Sequence, residues 1–149
     1  MAKFQYTRVY VDPVDLKELD QKMKRLFKVS KKELSTEVGI WGTTTTRLAK
    51  ERVPRDTGDL KKSISGRREG DQAVVEAKMK YAPYVEFGTG QLVDLSELDE
   101  LGIPESYAEQ FRGKKEVNLP PRPYLYNSAR QALHEMLSNM NRKIKNIVK

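Results

Sequence analysis

Prolines at positions 13 and 54 bracket a stretch in which apolar side chains recur every three or four residues. That spacing lines up on one face only in a helix. Asp12-Pro13 reads as a helix start, with Asp12 as N-cap and Pro13 at the first helical position. Pro54 ends the pattern, because the residue before a proline is pushed out of the helical region. The stretch divides into two predicted helices. In the first, Leu16, Leu19, Met23, Leu26 and Phe27 form the apolar side, with Lys17, Lys22, Lys24 and Arg25 opposite. In the second, Ser30 and Glu33 make a capping box, and Leu34, Val38, Trp41, Thr45 and Leu48 continue the stripe. Gly39 and Gly42 each weaken a helix by about 1 kcal/mol relative to Ala, and the small-residue face they create predicts close packing against another helix.

The flanking segments read differently. Residues 3–11 alternate β-branched and aromatic types and predict a strand. Residues 54–58 form a turn cluster. Residues 60–68 and 72–79, joined across Glu69-Gly70-Asp71, predict a β-hairpin, with Ala73, Val75, Ala77 and Met79 alternating along its second strand. Residues 91–118 read as an inserted surface segment with two short helices, around Leu95, Leu98 and Leu101 and around Tyr107 and Phe111. Pro120, Pro121 and Pro123 force an extended path. A last helix then opens at Asn127 or Ser128, with Ala129, Leu133, Met136, Leu137, Met140, Ile144 and Val148 on its apolar face. The sum is one α+β domain over residues 1–149: a small, mostly antiparallel sheet packed against a long central helix and a C-terminal helix.

Composition narrows the chemistry. Cysteine is absent and His134 is the only histidine, which excludes disulfides, zinc–thiolate sites, a Cys nucleophile and multi-His metal sites. No cofactor or metal is expected, and no phosphate-binding loop, nucleophile elbow or HExxH occurs. No apolar run approaches the roughly 18 residues of a membrane span, and residues 1–5 lack an apolar signal core, so use in a cytoplasm, or in something assembled there, is expected. The net charge is +7 and unevenly spread: +8 over residues 1–68, −6 over 69–118 and +5 over 119–149. The basic helix junction carries Lys24, Arg25, Lys28, Lys31 and Lys32. The acidic insertion carries Asp94, Glu97, Asp99, Glu100, Glu105 and Glu109, with no Lys or Arg between 91 and 111.

Individual polar residues favour structural roles. His134 has no converging partner and reads as a surface or half-buried side chain. Asp56 and Asp59 flank Thr57-Gly58 and serve turn chemistry, with Gly58 free to adopt positive φ. Glu86 lies among aromatics and needs a partner if buried, and Arg122 is the candidate ion-pair partner. Basic clusters bind phosphate non-specifically, but no recognition-helix or RNP pattern accompanies them.

Three segments in order resemble one family: Val53-Pro54-Arg55-Asp56-Thr57-Gly58-Asp59-Leu60-Lys61-Lys62-Ser63-Ile64, Tyr81-Ala82-Pro83-Tyr84-Val85-Glu86-Phe87-Gly88-Thr89, and Pro121-Arg122-Pro123-Tyr124-Leu125. They are similar to the gene-product-ten-like neck, head–tail connector and tail-component family of long-tailed double-stranded DNA phages, over roughly residues 30–149. The segment 91–118 is longer than that family usually carries there. In the physical reading of these motifs, Leu60 anchors the hairpin and Tyr81, Tyr84 and Phe87 form an aromatic plug. Gly88 lets the backbone turn away, and Arg122-Pro123 fixes the approach to the last helix. The resemblance implies a non-enzymatic virion protein, assembled in the bacterial host cytoplasm, that forms a homo-oligomeric ring at the head–tail junction. It would contact other neck, connector and tail proteins and double-stranded DNA without sequence specificity, away from any membrane. The acidic insertion then faces either the basic surface of a neighbouring subunit or the DNA channel. A tail terminator capping the tail tube is the alternative within the class, and a small basic DNA-binding module the alternative outside it.

Overall fold

The computed structural model describes residues 13–55, 58–96, 98–99, 102–113 and 118–148. The strand expected over residues 3–11 and the Asp12 cap lie outside these residues.

The proline-bracketed stretch forms one helix, α1, Pro13–Arg52, 40 residues long. At about 1.5 Å per residue it extends roughly 60 Å. The expected break at Ser30 is absent: Ser30 and Glu33 lie inside the helix, so no capping box forms. Nothing between them removes a backbone donor, so the ladder runs through. Thr36, Thr43 and Thr46 return their hydroxyls to carbonyls one turn back, at Lys32, Gly39 and Gly42, which satisfies those side chains without interrupting the ladder.

A short turn, α2 (Asp59–Ser63), leads into β1 (Ile64–Glu69) and β2 (Gln72–Ala77). The strands pair antiparallel from Ile64 opposite Ala77 to Glu69 opposite Gln72, leaving Gly70 and Asp71 as the connection. The first expected strand therefore begins four residues late, because 59–63 is helical. Gly42 and Gly66 let the hairpin lie directly on α1. A Cβ at Gly66 would overlap the Thr46 hydroxyl, and one at Gly42 would stand 3.0 Å from the Cβ of Ala73. The small-residue face of α1 thus receives a sheet, not the helix expected from the sequence.

Next come α3 (Ala82–Phe87), a 3₁₀ turn (Gly90–Leu92), α4 (Glu105–Glu109) and α5 (Tyr126–Val148). The helix expected around Leu95 and Leu98 is not formed over the described residues there. Leu98 is buried all the same, in a cluster with Phe87, Val93, Ile103, Ala108 and Phe111. A second cluster, Ala49, Val53, Leu60, Ile64, Ala82 and Tyr124, joins α1, α2, β1 and α3 to the residues before α5.

α5 runs antiparallel to α1. Lys143 reaches back to Glu33 at 2.7 Å and Glu37 at 2.8 Å, while Arg52 at the far end of α1 bonds Ser128 and Gln131. Between them the Trp41 indole donates to the Ala129 carbonyl at 3.0 Å. Glu37 is buried in this seam, with Asn139 as a further donor. Much of the predicted apolar face of α5 stays open: Leu133, Leu137 and Ile144 are exposed, whereas Ala132 and Met140 are buried.

Four substitutions test this packing. Gly66→Ala forces the hairpin off α1 and should lower stability by about 1–3 kcal/mol, the usual cost of overpacking. Adding Thr46→Ala should recover part of the loss, and Gly113→Ala, which meets open space, should change little. Thr45 is fully buried with its hydroxyl unpartnered among the described residues. Thr45→Val, which keeps the shape and removes the hydroxyl, should therefore raise stability by about 1 kcal/mol. Urea denaturation of the five proteins provides the comparison.

Candidate functional site

The second motif folds as α3, and its carboxylate is the centre of the surrounding structure. Glu86 is buried. One oxygen accepts the backbone N–H of Tyr124 at 2.9 Å and of Leu125 at 3.0 Å, and the other accepts that of Tyr126 at 3.0 Å. These donors stand at the start of α5, where backbone N–H groups lack helical acceptors and the helix dipole favours negative charge. The expected ion pair with Arg122 is thus corrected. The Arg122 side chain is exposed, and its contribution to the site is a backbone N–H donated to the Val85 carbonyl at 2.8 Å. Extended backbone brings amides closer to Glu86 than a long side chain that retains its water.

Gly88 makes the adjoining crossing possible. Its φ is 79°, a region that side chains other than Gly rarely adopt, and a Cβ there would stand 2.6 Å from the Leu119 carbonyl. The 118–123 segment passes over it. Thr89, fully buried, donates its N–H to the Leu119 carbonyl at 3.0 Å and accepts the Leu119 N–H on its hydroxyl at 2.9 Å. The third motif is therefore strapped to the second by backbone, and Pro123 sits exposed beside the strap.

The aromatic plug has a different membership from the expected one. Tyr81 is exposed. Tyr84 meets Phe111 edge-on with ring centres 5.0 Å apart, and Phe87 stacks on Phe111 and touches Tyr107 and Tyr126. Two of these partners come from the inserted segment, so the insertion carries part of the core and is not only surface. In the first motif, Gly58 takes a positive φ ahead of α2 and Leu60 is buried, as expected. Asp56 and Thr57 lie outside the described residues.

The charged surfaces are as open as their composition suggests. Lys24, Arg25, Lys28, Lys31 and Lys32 are exposed along α1, and Asp94, Asp99, Glu105 and Glu109 are exposed in the insertion. Glu97 and Glu100 lie outside the described residues. Among the described residues no ion pair joins the two sets, and Lys24 pairs instead with Asp20 of its own helix at 2.7 Å. Asp94 accepts the Ser96 N–H at 2.8 Å, and its bonds to Ser96 hold its carboxyl below the usual range. Sequence reasoning missed the Glu33–Glu37–Lys143 network. Its signal was the i, i+4 pair of carboxylates on the inner stripe of α1, where an apolar residue is otherwise required.

A groove of about 560 Å³ between α1 and the hairpin is lined by Arg47, Lys50, Lys61, Arg67 and Arg68. Three of these cations are already engaged: Arg47 with Glu51 at 3.0 Å, Arg67 with Glu69 at 2.6 Å and with Glu76, and Arg68 with Ser35. His134 is exposed on α5. Among the described residues no group of three or more His, Cys, Asp or Glu is placed to hold a metal ion, and no helix is long and apolar enough to cross a membrane.

What these residues provide is packing and contact surface. Residues 17–88, just under half of the chain, match the HK97-gp10-like family, described as "Bacteriophage HK97-gp10, putative tail-component". The matched stretch runs from the first turns of α1 through the hairpin to Gly88. It contains the first motif and nearly all of the second, while the Arg122 motif and α5 lie beyond it. No curated protein and no solved structure matches the chain.

Burial, larger in effect than the three amide bonds, raises the Glu86 carboxyl above the usual Glu range. The folded protein then holds a proton at pH values where the unfolded chain, ionising near 4.3, has lost it. Stability from this group is therefore greatest below that value and falls as pH rises towards the native one. Glu86→Gln should remove this slope from a series of urea melts. Glu86→Ala, which strands three amides, should cost about 1–3 kcal/mol at neutral pH.

Proposed function

We propose that this chain is a structural virion protein at the phage head–tail junction, where copies form a ring around the DNA channel and join head to tail. The observation that carries this reading is the tail-component family match over residues 17–88. The structure adds that the unmatched residues 118–148 are tied to the matched stretch through Glu86 and Lys143.

The charge layout supports self-assembly. A ring arises when one surface of a subunit meets a different surface on the next and the rotation closes. The chain presents a basic surface on α1 and an acidic one in the insertion, both exposed among the described residues, and the ion pair of Lys24 with Asp20 leaves Arg25, Lys28, Lys31 and Lys32 in excess along α1. Their attraction steers subunits into register and penalises like-charged faces. Contact with double-stranded DNA in the channel is without sequence specificity in this reading, and assembly takes place in the bacterial host cytoplasm.

Disrupting the gene in the phage or prophage that encodes it tests the role. Electron microscopy of lysates should show DNA-filled heads and tails that are not joined, and supplying the intact gene should restore joined particles. Normal infectious particles without the protein would overturn the reading.

A further inference from the structure

The seam between α1 and α5 is longer on one side than on the other. Lys143 sits opposite Glu33 and Glu37, and α5 ends five residues later at Val148, about 7.5 Å further along. Residues 13–28 of α1, roughly 24 Å of helix, therefore extend beyond the described part of α5. Their apolar row continues the stripe that α5 covers lower down, but here it is open. Leu16 and Leu19 are each 53% exposed, Met23 61% and Phe27 73%. Four large apolar residues on one face of a projecting helix exceed the scattered exposure of an ordinary surface.

We infer that this projecting half of α1 docks on the acidic insertion of a second copy of the chain, which makes it the inter-subunit contact. The inference deepens the ring reading above and rests on it. Charge selects the occupant. Residues 13–32 carry seven cations and three carboxylates, with Lys22 and Lys24 paired to Glu18 and Asp20 within the helix, which leaves a net charge of +4, whereas residues 91–111 carry six carboxylates and no cation. Two projecting helices side by side in parallel would set those cations against one another. The acidic insertion offers the opposite sign, and it also offers apolar surface: Leu92 and Tyr107 are exposed among its carboxylates. An amphipathic helix laid on such a surface buries its row, and only the cations that flank the row meet the acids at the rim of the contact. The two surfaces are separate on each subunit, so the contact runs head to tail and adds copies successively.

The test uses purified full-length protein at low salt, followed by light scattering and sedimentation velocity. The unmodified chain should associate beyond the dimer, and added salt should weaken the association. Leu19→Glu with Met23→Glu breaks the helix row, and Glu105→Lys with Glu109→Lys breaks the acidic surface. All four positions are exposed, so circular dichroism should be unchanged. Each double variant alone should be monomeric, and mixing the two should give a heterodimer and nothing larger, because one intact junction remains. A monomeric unmodified chain would overturn the inference, as would a helix-row variant that assembles normally or a mixture that stays monomeric. The virion role fails separately: a heterodimer on mixing, together with normal particles from the disrupted phage, would keep this contact and remove the neck assignment. Unjoined heads and tails with a chain that never self-associates would do the reverse.

Discussion

A carboxylate taken out of water needs donors, and Glu86 finds three in the amides of Tyr124, Leu125 and Tyr126. This arrangement ties two segments nearly forty residues apart in sequence. It fixes where α5 begins, and with it the direction in which that helix runs back along α1. Without an acceptor at that point, the start of α5 would expose unpaired N–H groups to an apolar interior. The Gly88 crossing and the Thr89 bonds serve the same junction, since the strap must pass close to α3 for its amides to reach the carboxylate. The buried charge is costly, and the upward shift of its carboxyl shows that the donors offset burial only in part.

The opposite end of the α1–α5 pair repeats the principle with a cation. Glu37 is buried on the inner stripe, where an apolar residue would serve packing better, and it is satisfied by Lys143 and Asn139. Such a network favours one register of the two helices, because a slip by one turn would leave a carboxylate in the seam without a donor. Polar locks at both ends and a tryptophan bond between them hold a long, otherwise amphipathic pair at a defined offset. That offset leaves the first turns of α1 projecting.

Much of the architecture was legible in the residues. The apolar spacing gave helices, the alternation at Ala73, Val75 and Ala77 gave the hairpin, and the prolines at 120–123 gave an extended approach to a last helix. Errors arose where local signals competed with continuity or with a distant partner. Ser30 and Glu33 have the composition of a cap, yet helix propagation through them costs little once both flanks are helical. Gly39 and Gly42 marked a close approach correctly, but a glycine cannot say whether a helix or a strand will come near. Leu98 was read as part of a helix because its spacing fits one, whereas burial against Phe87 and Phe111 requires only that it reach the cluster.

The sequence by itself determined the absence of thiol and multi-His chemistry, the α+β class, the segregation of charge and the three motifs. Each of these depends on residue type and local spacing. Only the tertiary structure decided that Glu86 is held by amides and not by Arg122, that the insertion supplies two of the five rings of the aromatic cluster, and that the stripe on α1 outruns its covering helix. Those outcomes turn on which backbone donors come within 3 Å and where one helix ends along another. Both are set by the packing of segments far apart in the chain, and a linear pattern carries neither.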